Sequence, residues 1–142
     1  MKKLNLLLLA LFTSAAITSC SNDDDDRVTT GLIVGQWVLS EEGETVETLE
    51  TAENDGCDLP IYEFFEGGTY NENGYDYNSN SDDCESYSET GKWYKKGSTL
   101  TVKDSYDTSK VTILELTETT LKVKSTDQEG DWISVFTRVT NN

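Results

Sequence analysis

The stretch "PIYEFFEGGTYNE", residues 60–72, decides the fold class of this chain. In it, two short runs with aromatic residues flank the turn sequence Glu66-Gly67-Gly68. Two such runs joined by a glycine-containing turn are typical of a β-hairpin. Pro60 fits this interpretation because proline is tolerated at the first residue of a strand.

Further segments predict strands because they are short, alternate in polarity and are separated by turn residues. They cover residues 37–40, 86–96, 98–104, 110–116, 121–125 and 131–139. With the first hairpin this makes eight strands, whereas the helix signal is confined to a possible turn at 28–34. The sequence therefore predicts an all-β fold, an eight-stranded up-and-down antiparallel barrel, since closing such a meander removes both exposed edges.

Alternation along these strands indicates which side chains point into the barrel. Leu100 and Val102 alternate with threonine and lysine, and Leu121 and Val123 alternate with lysine. In the last strand, "DWISVFTRV", both faces carry apolar residues, so its inward face stays open. The residues predicted to form the core or to line a ligand cavity are Tyr62, Phe64, Tyr70, Trp93, Leu100, Val102, Leu121 and Val123.

The charge balance excludes several classes of partner and of chemistry. The chain has 27 acidic and 11 basic residues, a formal net charge of −16. Such a surface repels phosphate backbones, so we expect no nucleic-acid partner. The chain has no histidine, the commonest general base, and no glycine-rich phosphate loop. We therefore expect neither enzyme activity nor a cofactor.

The first 20 residues, "MKKLNLLLLALFTSAAITSC", have the features of an export signal. Lys2 and Lys3 precede an apolar run over residues 4–17, which is short for a membrane-spanning helix. The final "ITSC" resembles a bacterial lipobox, in which the cysteine becomes the lipid-modified first residue of the mature protein. The resemblance implies a lipoprotein signal peptide over 1–19 and membrane attachment through acyl chains on Cys20. An ordinary signal peptide with an incidental cysteine is the alternative.

The acidic run "SNDDDD" that follows Cys20 cannot bury apolar surface and repels itself. We expect residues 20–30 to be a lipidated, disordered tether that leads to a folded domain over 31–142. The run also resembles the acidic surface-export signals of some Gram-negative lipoproteins. That resemblance implies a lipid-anchored protein on the outer face of the outer membrane, with a periplasmic tether as the alternative.

Three cysteines in an exported chain leave one without a cysteine partner. If Cys20 carries lipid, Cys57 and Cys84 remain as a pair. In an oxidising compartment they are free to form one disulfide.

Residues 71–83, "NENGYDYNSNSDD", predict a polar loop before Cys84. Its alternating oxygen-bearing side chains resemble those of a calcium loop. An EF-hand, however, would need glycine at Ser81 and glutamate at Tyr87. We therefore expect a solvated loop and no metal site, with weak calcium binding as the alternative.

Three motifs are spread along the predicted strands: Gly35-Gln36-Trp37 on the first strand, Gly91-Lys92-Trp93 on a middle strand, and Arg138 near the end of the last strand. Together they resemble the motifs of the lipocalin superfamily, and more closely those of the lipocalin-like lipoproteins of Gram-negative bacteria. The resemblance spans roughly residues 31–139. It implies a lipocalin-like barrel that binds a small apolar or amphipathic molecule.

The alternative function is a protein-interaction module on the cell surface, with a filled barrel. Tyr70, Tyr75, Tyr77 and Tyr87 cluster around the polar loop in the sequence. Aromatic side chains with one polar group suit an interface as well as a barrel mouth.

Barrel closure predicts a contact between Trp37 and Arg138. With an even number of strands, the first and last are antiparallel neighbours, so the start of one lies beside the end of the other. A guanidinium stacks on an indole better than an ammonium does. We expect Arg138 to lie within about 6 Å of the Trp37 ring, the same pairing that the lipocalin resemblance implies. A solvent-exposed Arg138 is the alternative.

The lipidation of Cys20 predicts how the protein fractionates. The native chain should leave the membrane only with detergent, whereas Cys20→Ser should give a soluble or unprocessed product. Exchanging Cys57 and Cys84 together for serine is the matched control, which should remain in the membrane fraction. Unchanged fractionation of Cys20→Ser would contradict the assignment.

Overall fold

The computed structural model describes residues 31–140, which form a single antiparallel sheet of nine strands. Residues 31–33 are helical, and no described helix has the length and apolar character needed to cross a membrane. The predicted signal peptide and the tether, with Cys20, lie outside the described residues. The strands are β1 (Gly35–Gly43), β2 (Glu50–Thr51), β3 (Ile61–Phe64), β4 (Thr69–Asn78), β5 (Asp83–Lys96), β6 (Thr99–Lys103), β7 (Thr108–Leu116), β8 (Thr120–Thr126) and β9 (Asp131–Arg138).

The sheet closes on itself because β1 pairs with both β3 and β9. From β3 to β9 each strand pairs with the next one along the chain. The two-residue strand β2 is an addition that the sequence did not predict, and it lies beside β3 on the same edge of β1. The predicted eight-stranded up-and-down barrel is therefore confirmed, with β2 as an accessory strand.

The two ends of the barrel differ. One end, called here the closed end, carries residues 31–34 and the turns at 65–68, 97–98 and 117–119. The other, called here the open end, carries the end of β1 and the turns at 79–82, 104–107 and 127–130.

The predicted polar loop at 71–83 is wrong for most of its length. Strand β4 continues to Asn78 and β5 begins at Asp83, so only residues 79–82 form the turn. Beyond Asn73, β4 pairs with β5 but no longer with β3, so the hairpin extends past the barrel as an arm over residues 74–88. Polar side chains are tolerated on both faces of this arm because it covers little of the core.

A disulfide between Cys57 and Cys84 fastens the arm to the segment that precedes β3. The two Cα atoms are 5.8 Å apart, within the range expected for a bridge. Asn54 supports the same arrangement, since its Nδ2 donates to the carbonyl of Tyr75 at 2.8 Å. The segment at 52–60 thus follows the edge of β4 that β3 leaves free.

The closed end is organised around Trp37, which is fully buried together with Ile33. The indole Nε1 of Trp37 donates to the carbonyl of Ile33 at 2.7 Å. The guanidinium of Arg138 lies over the same ring, with its Cζ 4.2 Å from the ring centroid. The predicted contact is present, and the register pairs the two residues directly across β1 and β9.

Arg138 also donates hydrogen bonds to three backbone carbonyls, which lie in two segments outside its own strand. Its Nη1 donates to Val34 at 2.8 Å, and Nη2 donates to Leu32. Its Nε donates to Glu118 in the turn before β8. One side chain therefore ties the N-terminal segment and the β7–β8 turn to the end of β9.

Gly35 is required by this closure. Its φ is +127°, a conformation that other residues rarely adopt, and a Cβ at this position would collide with the guanidinium of Arg138. The glycine of the Gly-x-Trp motif thus leaves room for the arginine that covers the tryptophan.

The closure predicts the effect of Arg138→Lys. Lysine keeps the charge but cannot donate to three carbonyls and stack on Trp37 at once. We expect the free energy of unfolding to fall by about 2–4 kcal/mol, measured by urea denaturation. Lys110→Arg, the reverse exchange at an exposed position of β7, should change it by less than about 0.5 kcal/mol. A loss below about 0.5 kcal/mol in Arg138→Lys would contradict the role assigned to Arg138.

Candidate functional site

The barrel encloses a cavity of about 310 Å³ above the closed end. Its walls come from six strands, β3, β4 and β6 to β9, and from the residue that follows β6. Apolar and aromatic side chains form most of the lining, with a few polar groups among them. The lining residues are Tyr62, Phe64, Tyr70, Glu72, Leu100, Val102, Asp104, Ser109, Val111, Leu121, Val123, Ser125, Ser134 and Phe136.

All the residues predicted to line the cavity do so except Trp93. Trp93 is buried below the cavity, where its ring packs edge-on against Phe64 with the centroids 5.6 Å apart. Its indole Nε1 donates to the carbonyl of Phe65 at 3.1 Å. Trp93 is therefore a core residue beneath the cavity, and a core role was one of the two predicted for this set of residues.

Gly91, two residues before Trp93, makes room for one wall of the cavity. A Cβ at Gly91 would collide with the ring of Tyr70 and with the carbonyl of Lys103. Because Gly91 has no Cβ, Tyr70 can lie across β5, where its ring stacks on Phe64 with the ring centroids 6.0 Å apart. The Gly-x-Trp motif of β5 thus makes room for the ring of Tyr70 in the cavity wall and supplies the ring of Trp93 beneath the cavity.

Phe136 and Ser134 were missed because β9 is apolar on both faces. Ile133 and Val135, which point away from the cavity, are also buried, so alternation cannot identify the inner face. In the structure, Phe136 packs edge-on against Tyr62, with the ring centroids 5.5 Å apart. Val111 also lines the cavity and was not predicted to do so, although the alternation in "KVTILEL" indicated that it faces inward.

Glu72 is the most unusual residue of the lining, since it brings a carboxylate into a largely apolar space. It follows Tyr70 at the inward-facing position of β4, and Tyr87 Oη donates to its Oε1 at 2.8 Å. Burial raises the pKa of the Glu72 carboxyl above its usual value, although the hydrogen bonds from Tyr87 and Tyr62 oppose the shift. Burial and the carboxylate of Glu72 in turn raise the pKa values of Tyr62 and Tyr87, which therefore stay protonated donors.

Asp104 is the second carboxylate of the lining and lies in the turn between β6 and β7. Its Oδ1 accepts hydrogen bonds from the backbone N–H groups of Tyr106 and Asp107, at 2.6 and 2.7 Å. These bonds hold the pKa of Asp104 below its usual value. A fixed negative charge therefore stands at the open end of the cavity.

The tyrosines that cluster in the sequence are divided between two faces of the sheet. Tyr70 is buried in the barrel and Tyr87 binds Glu72, whereas Tyr75 and Tyr77 are exposed on the arm. The four side chains therefore do not form one continuous patch.

The described residues offer no alternative site of comparable enclosure. Among them, no group of three or more potential metal ligands comes together. A depression beside Trp132 is larger, at about 620 Å³, but it is broad, open to solvent and bordered by several glutamates. The barrel cavity is less open to solvent than this depression, and its lining is more apolar.

Comparison with protein families identifies the fold independently. The family model described as a lipocalin-like domain matches residues 33–123. The chain belongs to the lipocalin-like domain family. No curated protein sequence matches it.

Solved structures agree with this membership in fold. A lipocalin-like protein from Bacteroides uniformis is similar over 77% of this chain and 100% of its own, with 15% identity and a TM-score of 0.53. A protein from Bacteroides eggerthii is similar over 75% and 98%, with 15% identity and a TM-score of 0.51. Japanin from Rhipicephalus appendiculatus, bound to cholesterol, is similar over 75% of each chain, with 10% identity and a TM-score of 0.52.

The lipocalin-like fold is generally a fold for binding rather than for catalysis. Its typical ligands are small and hydrophobic, and they occupy the interior of the barrel. The cavity described above lies in that place in this chain.

Proposed function

We propose that this lipocalin-like domain binds a small apolar or amphipathic molecule inside its barrel and catalyses no reaction. The observation that carries the proposal is the enclosed cavity of about 310 Å³, which lies at the lower end of the sizes typical of ligand pockets. A barrel with a filled interior would have no such space.

The distribution of polar groups in the cavity supports an oriented ligand. Leu100 and Leu121 line the floor of the cavity towards the closed end and belong to the same buried core cluster as Trp37 and Trp93. Glu72 and Asp104 lie towards the open end. A molecule with an apolar body and one polar group would bury its body against the floor and keep its polar group near these carboxylates.

Japanin offers a precedent within the same fold. That protein is bound to cholesterol, a molecule with a large apolar body and one hydroxyl group. At 10% identity the likeness extends to the fold and not to the ligand. The support is that a protein of the same fold binds an amphipathic small molecule, the class of ligand proposed here.

We also propose that the chain is a lipoprotein, anchored by acyl chains on Cys20 and displayed on the cell surface. The proposal rests on the "ITSC" sequence and the four aspartates after it. In this arrangement the acidic tether separates the barrel from the membrane, so that the open end is accessible to ligands in the medium.

Protein interaction remains a second proposed function because the arm projects from the barrel and exposes Tyr75 and Tyr77. The inward orientation of Tyr70 and Tyr87 leaves this surface smaller than the sequence suggested. The ligand proposal therefore has the stronger support.

Filling the cavity tests the ligand proposal. The neutral fluorophore N-phenyl-1-naphthylamine should gain fluorescence on entering the barrel of the native protein. Val102→Trp should lower its affinity at least tenfold because the larger ring occupies the cavity that Val102 lines. Leu114→Trp is the matched control, since Leu114 is exposed on β7, and it should leave the affinity unchanged.

Circular dichroism of both variants should establish that the barrel has folded. Equal binding by the native protein and a folded Val102→Trp variant would place the fluorophore outside the barrel and contradict the proposal. Failure of the native protein to bind any apolar probe would contradict it as well.

A further inference from the structure

Strands β4 and β5 carry carboxylates on the face of the sheet that is turned towards the cavity. Glu72 lies directly across from Glu89, and Asp76 lies directly across from Glu85 further along the arm. Residues paired across an antiparallel ladder point to the same face of the sheet. All four therefore face the same side as the cavity, and Asp104 adds a carboxylate from the end of β6.

No basic side chain balances these charges within the lining of the cavity, as far as the described chain extends. The lysines of β6 and β8 alternate with the lining residues and point away from the cavity. Lys103 follows Val102 on β6, and Lys122 and Lys124 flank Val123 on β8. Tyrosine hydroxyls are thus the protein donors at hand for Glu72.

We propose that the barrel selects amphipathic ligands with a cationic head group, such as a protonated amine, and that the carboxylate of Glu72 binds this group. The proposal rests on the ligand-binding function proposed above and specifies its chemistry. The enclosed cavity defines the site, and the carboxylates determine which head group it accepts. An ammonium near Glu72 makes a charge-assisted hydrogen bond in a partly desolvated place, where such bonds are strongest. A carboxylate head group would meet only like charge.

The raised pKa of the Glu72 carboxyl agrees with a site in which no positive charge lies beside it. Burial is the main cause that raises its pKa, and the carboxylates of Glu89 and Asp104 raise it further. The groups that face it are Tyr62 from β3, Tyr87 and Glu89 from β5, and Asp104 after β6. None of these supplies a positive charge, so a bound cation would favour the ionised form of Glu72.

A series of ligands that differ only in the head group tests the proposal on the purified protein. Decylamine, decanol and decanoate compete with N-phenyl-1-naphthylamine at pH 7. Decylamine should bind at least tenfold more tightly than decanol, and decanoate more weakly than either. Glu72→Gln should remove about tenfold of the decylamine affinity and lower the decanol affinity far less, since glutamine removes the charge but keeps an oxygen for Tyr87.

Glu63→Gln is the matched control. Glu63 lies on β3 between the lining residues Tyr62 and Phe64 and points outward, so its loss removes one charge without altering the cavity. It should retain the preference for decylamine. The preference of the native protein should also weaken as the pH falls and Glu72 becomes protonated.

The outcomes separate this inference from the proposed function. Binding of the fluorophore and of decanol without a preference for decylamine would overturn the inference and leave the ligand-binding barrel intact. A preference that survives Glu72→Gln, or tighter binding of decanoate, would overturn the role of Glu72. Failure of every probe to bind would overturn both.

Discussion

The contact between Arg138 and Trp37 is the interaction on which the rest of the structure depends. Closing a β-meander requires its last strand to register against its first, and these residues are paired at that seam. The guanidinium covers the indole and binds carbonyls of residues 32, 34 and 118. It thereby seals one end of the barrel and ties the N-terminal segment and the β7–β8 turn to β9. A sealed end is what allows the space above it to be a pocket rather than a channel.

The sequence predicted this architecture because barrel strands obey a period of two and tight turns have a recognisable composition. The hairpin at 60–72 and the lining of β6 and β8 follow from such local signals. The pairing of Cys57 with Cys84 was instead predicted from the number of cysteines, once Cys20 was assigned to lipid. Other features depend on contacts that alternation does not encode. Strand β9 is buried on both faces, so its inner face could not be read from its pattern. The polar composition of residues 71–83 predicted a loop, whereas pairing with β5 makes most of them strand.

The same limitation explains why Glu72 was missed as a lining residue. A carboxylate in a strand normally indicates a solvated face, although Glu72 lies two residues after Tyr70 and shares its inward face. Its register with Tyr62 and its bond from Tyr87 establish the inward position in the structure. The apolar residues of the sequence thus predicted the walls of the pocket, whereas the structure was needed to identify the carboxylate of Glu72 within it. Proteins keep such partly buried charges at a cost in stability, which is why they are often informative about ligands.

The central claim is that the interior of the barrel is a ligand site, and methyl NMR during a titration with decylamine tests it most directly. Resonances of Leu100, Val102, Val111 and Val123 should shift together and saturate with one affinity, because these residues line the cavity. Resonances of Leu114 and Val46, which are exposed, should not move. Shifts confined to exposed methyl groups, or none at saturating concentrations, would contradict the account.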